Sequence, residues 1–446
     1  MEESIKSFRG NIKKMQGIGT NSFYLDYKDA VEKVILLVSE HKKKDFQASD
    51  ITEHSTKKEY RENLQKHKDL ISDLVYGESF KVKGFDNIED FIILMANRIA
   101  GMDILTELYE NKSVSDIHVI SSDTIFYEKD GIDIEFPGSF DDDEHYNSFV
   151  ERISSIAKKQ TNKAESKIID FELFGDRFSI VNNISAVKGH AISIRLHPES
   201  HVKRDQLVKS GVVTEEMAEF MDIVIQGEGN TIVGGITGSG KTTTMRALLD
   251  YSLGKNSKRV LVCEDTRELY LTNKHTVDFV SIKNNDKNLA LTLYEIILAT
   301  LRLKPKYIVV GEVRGGEAVS AVEAMETGHS THFSMHGGST WNILNRLINK
   351  YMMGMSSLGI DVVERIIGSA VDYIIIQHNI PGIGRKVTSI DEISYDYENK
   401  KFKVTPIFKY DHKEKVTKLV GKMSQEKADS LAFHGVPYER LERWIA

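Results

Sequence analysis

Residues Gly235-Ile236-Thr237-Gly238-Ser239-Gly240-Lys241-Thr242 follow the spacing G-x-x-x-x-G-K-[ST], that of a loop whose backbone N–H groups cradle nucleotide phosphates. Glycines let the backbone curl around an anion, and the start of a following helix favours negative charge. In that pattern the Lys241 ammonium reaches the β- and γ-phosphates and the Thr242 hydroxyl binds Mg²⁺. Gly235, Thr237, Gly238, Ser239, Gly240 and Thr243 complete the expected cradle. The chain is therefore expected to bind a nucleoside triphosphate.

Two further segments place acids directly after apolar runs. Val260-Leu261-Val262-Cys263 leads into Glu264-Asp265, and Tyr307-Ile308-Val309-Val310-Gly311 leads into Glu312, followed by Val313-Arg314-Gly315. If both runs are strands of one parallel sheet, their carboxyl ends share an edge with the loop. A carboxylate there holds Mg²⁺ through water or orients the attacking water. Glu312 is the first choice to polarise that water, also serving Mg²⁺ with Thr242, and Glu264 competes for the role; the residues alone do not separate them. Next comes Thr327-Gly328-His329-Ser330-Thr331-His332-Phe333-Ser334-Met335-His336. Strand alternation puts His332 and His336 on one face and leaves His329 in the preceding turn. No carboxylate or thiolate cluster completes a zinc site, so His329 and His336 are expected to meet phosphate and report the nucleotide state.

These residues need a scaffold that alternates strands and helices. From about 227 onward the sequence has that rhythm, with strands expected at Thr231–Val233, Arg259–Glu264, Phe279–Ile282, Tyr307–Val310, Thr331–Met335 and Tyr373–Gln377. A largely parallel sheet follows, with ligand sites at the strand carboxyl ends. A hairpin-rich piece (Val387 to Tyr410) and a helical tail (Gln425 to Trp444) complete an ATPase-type domain over 227–446. Residues 203–226 read as a linker. Before it, 89–202 opens with a helix (Ile88 to Tyr109), continues with short strands, and reads as a mixed α+β domain. Residues 1–88 read as a charged helical segment, with Val31, Val34, Ile35 and Val38 as its apolar stripe.

Composition narrows the partners. The 446 residues exceed one typical core, and 40% hydrophobic with 28% charged residues suits a globular protein. A formal net charge of −7 gives no reason to expect direct DNA binding or an anionic membrane surface as ligand. The single cysteine, Cys263, excludes an internal disulfide and fits a reducing cytosol. No apolar run approaches the roughly 20 residues of a spanning helix, so a membrane role is expected to come through a partner.

With these motifs in order, the chain resembles the type II/type IV secretion-system ATPases, the traffic ATPases. Gly235–Thr242 matches the family's Walker A loop, and Glu264-Asp265-Thr266-Arg267-Glu268-Leu269 is similar to its aspartate box. Gly311-Glu312-Val313-Arg314-Gly315 is similar to its Walker B, Thr327 to His336 to its histidine box, and Leu301-Arg302-Leu303-Lys304-Pro305 also matches. Val114–Val119, Gly175–Arg177 and Ile192–Arg195 resemble the family's N-terminal domain, in which arginines help clasp the nucleotide; Arg177 and Arg195 are the matching positions. The chain departs from the pattern at Met335 and Gly337, on either side of His336, and 1–88 match no part of the family. One cysteine cannot build the four-cysteine module of the pilus-extension branch, which points to the compact branches: conjugation, tight-adherence (CpaF-like) pili and archaeal-type motors. The resemblance implies an α/β fold with a RecA-like P-loop ATPase domain preceded by the smaller α+β domain and the helical segment. It further implies ATP and Mg²⁺ as ligands and a homo-hexameric motor. That motor would be peripheral to the cytoplasmic face of the membrane, on an inner-membrane platform or secretion-channel protein. A DNA-stimulated P-loop translocase, a P-loop kinase and a nucleotide-gated scaffold without turnover are the competing readings.

Overall fold

The computed structural model describes residues 24–44, 51–53, 55–129, 131–160, 168–183, 186, 188–197, 201–255, 257–282 and 288–446. Part of the expected N-terminal segment, 1–23, therefore lies outside the described residues. The chain divides into two compact units, Met1–Pro198 and Glu199–Ala446.

In the first unit, strand β1 (Tyr24–Leu25) pairs in parallel with β2 (Lys81–Val82) beside helices Tyr27–Lys44, Lys57–Glu78 and Ile88–Ala100. The helix Lys57–Glu78 starts at a capping box: Thr56 Oγ1 accepts from Glu59 N at 3.2 Å, and Glu59 accepts from Thr56 N at 2.7 Å. Val31, Val34 and Val38 are buried as the stripe requires, but Ile35 is 44% exposed and Ala30 takes the core position instead. Six antiparallel strands follow: β3 (Val114–Ser121), β4 (Thr124–Lys129), β5 (Ile132–Phe136), β6 (Ile168–Leu173), β7 (Asp176–Val181) and β8 (Ala191–Arg195). Their order is β5-β4-β3-β8-β7-β6. Helix Asp143–Ile156 shares their core through Tyr146, Phe149 and Ile153. Tyr60 of the helix Lys57–Glu78 enters the same core against Tyr109 and Phe174, which joins the segment before 88 to the sheet.

The second unit is built on a nine-stranded sheet. Its strands are β9 (Thr231–Gly235), β10 (Val260–Glu264), β11 (Thr276–Val280), β12 (Tyr307–Glu312), β13 (Ser330–His336), β14 (Tyr373–Ile380), β15 (Gly384–Asp396), β16 (Lys401–Asp411) and β17 (Val416–Leu419). The order is β11-β10-β12-β13-β9-β14-β15-β16-β17. The first six are mutually parallel and the last three continue as antiparallel hairpins. Successive residues feed opposite helical layers, the period-2 rule of a sheet buried on both sides. Val309 and Ile375 join one core, with helix Lys241–Leu253, while Ile308 and Ile374 join the other, with helices Ala318–Glu326 and Thr340–Gly354.

The stretch 203–226, expected as a linker, is instead folded. It forms helices Arg204–Lys209 and Glu215–Gln226, and Leu207, Met217, Phe220 and Val224 are buried in the first of these cores. The 3- and 4-residue spacing of Met217, Phe220, Met221 and Val224 is that of an amphipathic helix, capped where Thr214 accepts from Met217 N. β11 begins three residues before the expected Phe279. In the tail, Trp444 is buried with its ring 5.3 Å from that of Phe220. Among the described residues, no helix is long and apolar enough to cross a membrane.

Candidate nucleotide site

The loop joins β9 to the helix Lys241–Leu253, as a phosphate cradle requires. Only glycine fits at its two ends. A Cβ at Gly235 would lie 2.5 Å from the Gln377 carbonyl oxygen, and Gly240 turns with φ 91°, in the left-handed region. Gly240 is the helix N-cap and supplies no capping side chain, so the first-turn N–H groups face the loop interior without an intrahelical acceptor. Of the other expected cradle residues, Ser239 is buried and its hydroxyl donates to Ile236 O at 2.8 Å, a bond within the loop. Thr242 is half-buried, while Thr237, Gly238 and Thr243 are exposed.

Lys241 is 8% exposed, and its Nζ donates to Ile236 O at 3.3 Å. Burial lowers its pKa below the usual lysine range, with Glu312 pulling the other way. A buried ammonium held by one carbonyl is suited to an incoming anion.

Parallel pairing brings the other motifs to this edge. His336 is the register partner of Gly235, and Glu312 that of Ser334. Gly311 is an extra residue in β12, a bulge that turns Glu312 at the strand end. Ser334 Oγ anchors the bulge by donating to Gly311 O at 2.6 Å. Arg314 donates to Glu312 Oε2 through Nε at 2.9 Å and through Nη2 at 2.5 Å. His336 Nε2 stands 2.8 Å from Glu312 Oε1, within ion-pair distance, but Oε1 is buried and has no hydrogen bond among the described residues. His336 Nδ1 lies 3.4 Å from Lys241 Nζ. Loop lysine and strand-end acid therefore both contact the histidine between them. The buried Oε1, the ammonium and the uncapped amides are the kinds of group that suit a phosphate with a divalent cation.

Glu264 is placed differently. It is 2% exposed, and its Oε1 accepts from Glu268 N at 3.1 Å and Leu269 N at 3.2 Å. Burial pushes its pKa up to about 8, against those two hydrogen bonds. Burial favours its protonated form, and its two backbone donors make it an organiser of the loop that follows β10. His329 is not brought to the loop. It precedes β13, roughly 20 Å of strand from His336, and its Nδ1 lies 3.0 Å from Pro305 O. His332 is fully buried and held by Thr231 and Ser330, and burial lowers its pKa to about 3.

In the first unit, Arg177 and Arg195 are direct cross-strand partners on β7 and β8. Arg195 Nε donates to Asp116 Oδ1 at 3.0 Å. Sequence reasoning missed two residues that grip the phosphate loop, Gln377 and Arg385. Their only signal was position, at the end of the last parallel strand and at the start of the strand that follows it.

Residues 98–404 match the family model described as type II/IV secretion system protein. An uncharacterized protein of Methanocaldococcus jannaschii is 24% identical over 318 residues, which are 70% of this chain and 55% of that protein. Conjugal transfer protein TrbB of Rhizobium radiobacter is 30% identical over 209 residues, 46% of this chain and 61% of TrbB. The chain thus spans little more than half the length of these relatives. The X-ray structure of the Legionella pneumophila ATPase DotB superposes with a TM-score of 0.51 at 22% identity, covering 67% of this chain and 82% of DotB. That likeness is one of fold, and it agrees with the α/β architecture expected. With more than half of its length matched by the family model, the chain belongs to the type II/IV secretion system protein family.

Proposed function

We propose that this protein is an ATP-hydrolysing motor that powers a type IV secretion, conjugation or related pilus machine. It works as a homo-hexamer on the cytoplasmic face of a membrane assembly. The observation that carries the reading is the convergence of Lys241, Glu312 and His336 on one phosphate loop.

In this reading the loop amides and Lys241 take the β- and γ-phosphates, and Lys241 exchanges its contact with Ile236 O for phosphate oxygen. Mg²⁺, held by Thr242 and Glu312, would supply charge neutralisation on the phosphates. Glu312 Oε1 accepts the proton of the attacking water while Arg314 fixes Oε2. His336, between Lys241 and Glu312, registers whether phosphate is present. Arg177 and Arg195 are assigned to nucleotide phosphate as well, guanidinium forks being suited to phosphate oxygens.

Steady-state ATP turnover of the whole chain beside Lys241→Ala, with particle mass read by light scattering, tests the proposal. Slow Mg²⁺-dependent turnover in a hexameric particle, lost in the variant, supports it. Tight ATP binding by a monomer that never turns over contradicts it.

A further inference from the structure

A loop that points its N–H groups inward at an anion turns carbonyl oxygens outward, and those oxygens need donors of their own. Two successive outward carbonyls of this loop are taken by side chains of one hairpin. Gln377 Nε2 donates to Ser239 O at 2.7 Å, and Arg385 Nε donates to Gly238 O at 3.1 Å. Gln377 is 1% exposed and ends the parallel part of β14, opposite Gly235 in register; Arg385 is the second residue of β15, after the turn 381–383. Both side chains also crowd Gly240, where a Cβ would lie 3.0 Å from Gln377 Nε2 and 3.1 Å from Arg385 Cδ.

The hairpin is itself anchored. Lys386 Nζ donates to Gly211 O at 2.6 Å, and Val387 N to Val212 O at 2.8 Å. Thr388 Oγ1 donates to Ile376 O at 3.2 Å across the bulge where the β14–β15 register shifts. The amide orientation of Gln377 is dictated by its partner, because a carbonyl acceptor admits only the NH₂ side.

We propose that Gln377 and Arg385 are positioning residues for nucleotide binding. From outside the loop they hold the Gly238 and Ser239 peptide units with their carbonyls outward, so the neighbouring N–H groups face phosphate before it arrives. Neither residue needs to touch the nucleotide. Their contribution is preorganisation, which sets affinity by removing the cost of ordering the loop. The inference rests on the proposed nucleotide reading of this site.

The test is calorimetric titration of the full chain with ADP and with ATP, alongside steady-state kinetics, for Arg385→Ala, Arg385→Lys and Gln377→Met. Arg385 is exposed, so its variants remain informative if Gln377→Met fails to fold. Loss of one such hydrogen bond is expected to raise Kd about fivefold to tenfold, with KM rising more than kcat falls. Arg385→Lys, which retains a donor, is expected to recover most of the affinity. Wild-type binding with Kd unchanged in Arg385→Ala, or a loss confined to kcat, overturns this inference alone. A wild type that binds neither nucleotide overturns the proposed function along with it.

Discussion

His336 and Glu312 face each other across 2.8 Å, from Nε2 to Oε1, while the other ring nitrogen of His336 looks toward Lys241 at 3.4 Å. One imidazole thus stands between the loop cation and the strand-end acid. Burial, then Lys241, lowers its pKa below the ordinary histidine value, with Arg314 and Arg346 acting in the same direction and Glu312 opposing them. A neutral ring keeps one lone pair, which at Nδ1 faces the ammonium. His336→Ala is therefore expected to lower kcat by about tenfold to a hundredfold. The acid limb of the wild-type pH–rate profile should have its midpoint below about 6.5. An unchanged kcat, or a midpoint above that value, would argue against the arrangement.

Glu264 gives a stability prediction. Folded Glu264 keeps its proton up to about pH 8, whereas an unfolded glutamate loses it near pH ~4.3. Between those values the folded state binds more protons than the unfolded one, so this group's contribution falls as pH rises, by about 5 kcal/mol in all. Glu264→Gln retains an oxygen for the Glu268 and Leu269 N–H groups and does not ionise. Its melting temperature should fall less steeply than the wild type's between about pH 5 and 9; parallel curves would contradict the buried, protonated state.

Arg177 and Arg195 oppose each other directly across β7 and β8, flanked by Glu172 and Asp116. Like charges in that position repel, while Arg195, its side chain 52% exposed, holds Asp116, whose side chain is only 12% exposed. Arg195→Lys, which keeps a cation beside Asp116 but loses the planar fork, should therefore leave thermal stability nearly unchanged and lower kcat/KM for ATP by about tenfold or more. A large fall in melting temperature with kcat/KM intact would make the pair structural.

Lys57 ties the segment before the family match to the sheet. Its Nζ lies 2.8 Å from Oδ1 of Asp176, which is fully buried, and donates to His197 O at 2.9 Å. Lys57→Met strands a buried carboxylate and should cost about 3–5 kcal/mol in denaturant unfolding. A cost below about 1 kcal/mol would mean that Asp176 finds another partner.

What the sequence revealed follows from how locally each feature is encoded. The phosphate loop, Glu312 and His336 each sit at the carboxyl end of an apolar run, and parallel pairing then brings them to one edge. His329 was misjudged because only seven residues separate it from His336, although a strand of that length carries it to the opposite edge. Glu264 competed with Glu312, the first choice, until burial and two backbone donors set it apart. The helix Glu215–Gln226 was hidden by the polar stretch before it, although its apolar spacing was present. Gln377 and Arg385 carried no signal beyond their position, because they act through backbone carbonyls more than a hundred residues away.

The most direct test of the central claim is single-turnover ATP hydrolysis by wild type, Glu312→Gln and Glu264→Gln, each shown first to bind ATP. The account predicts that Glu312→Gln binds ATP but hydrolyses it at least about 100-fold more slowly. Glu264→Gln should stay within about tenfold of wild type. Near-normal hydrolysis in Glu312→Gln, with turnover abolished in Glu264→Gln, would contradict it and give the water-activating role to the other acid.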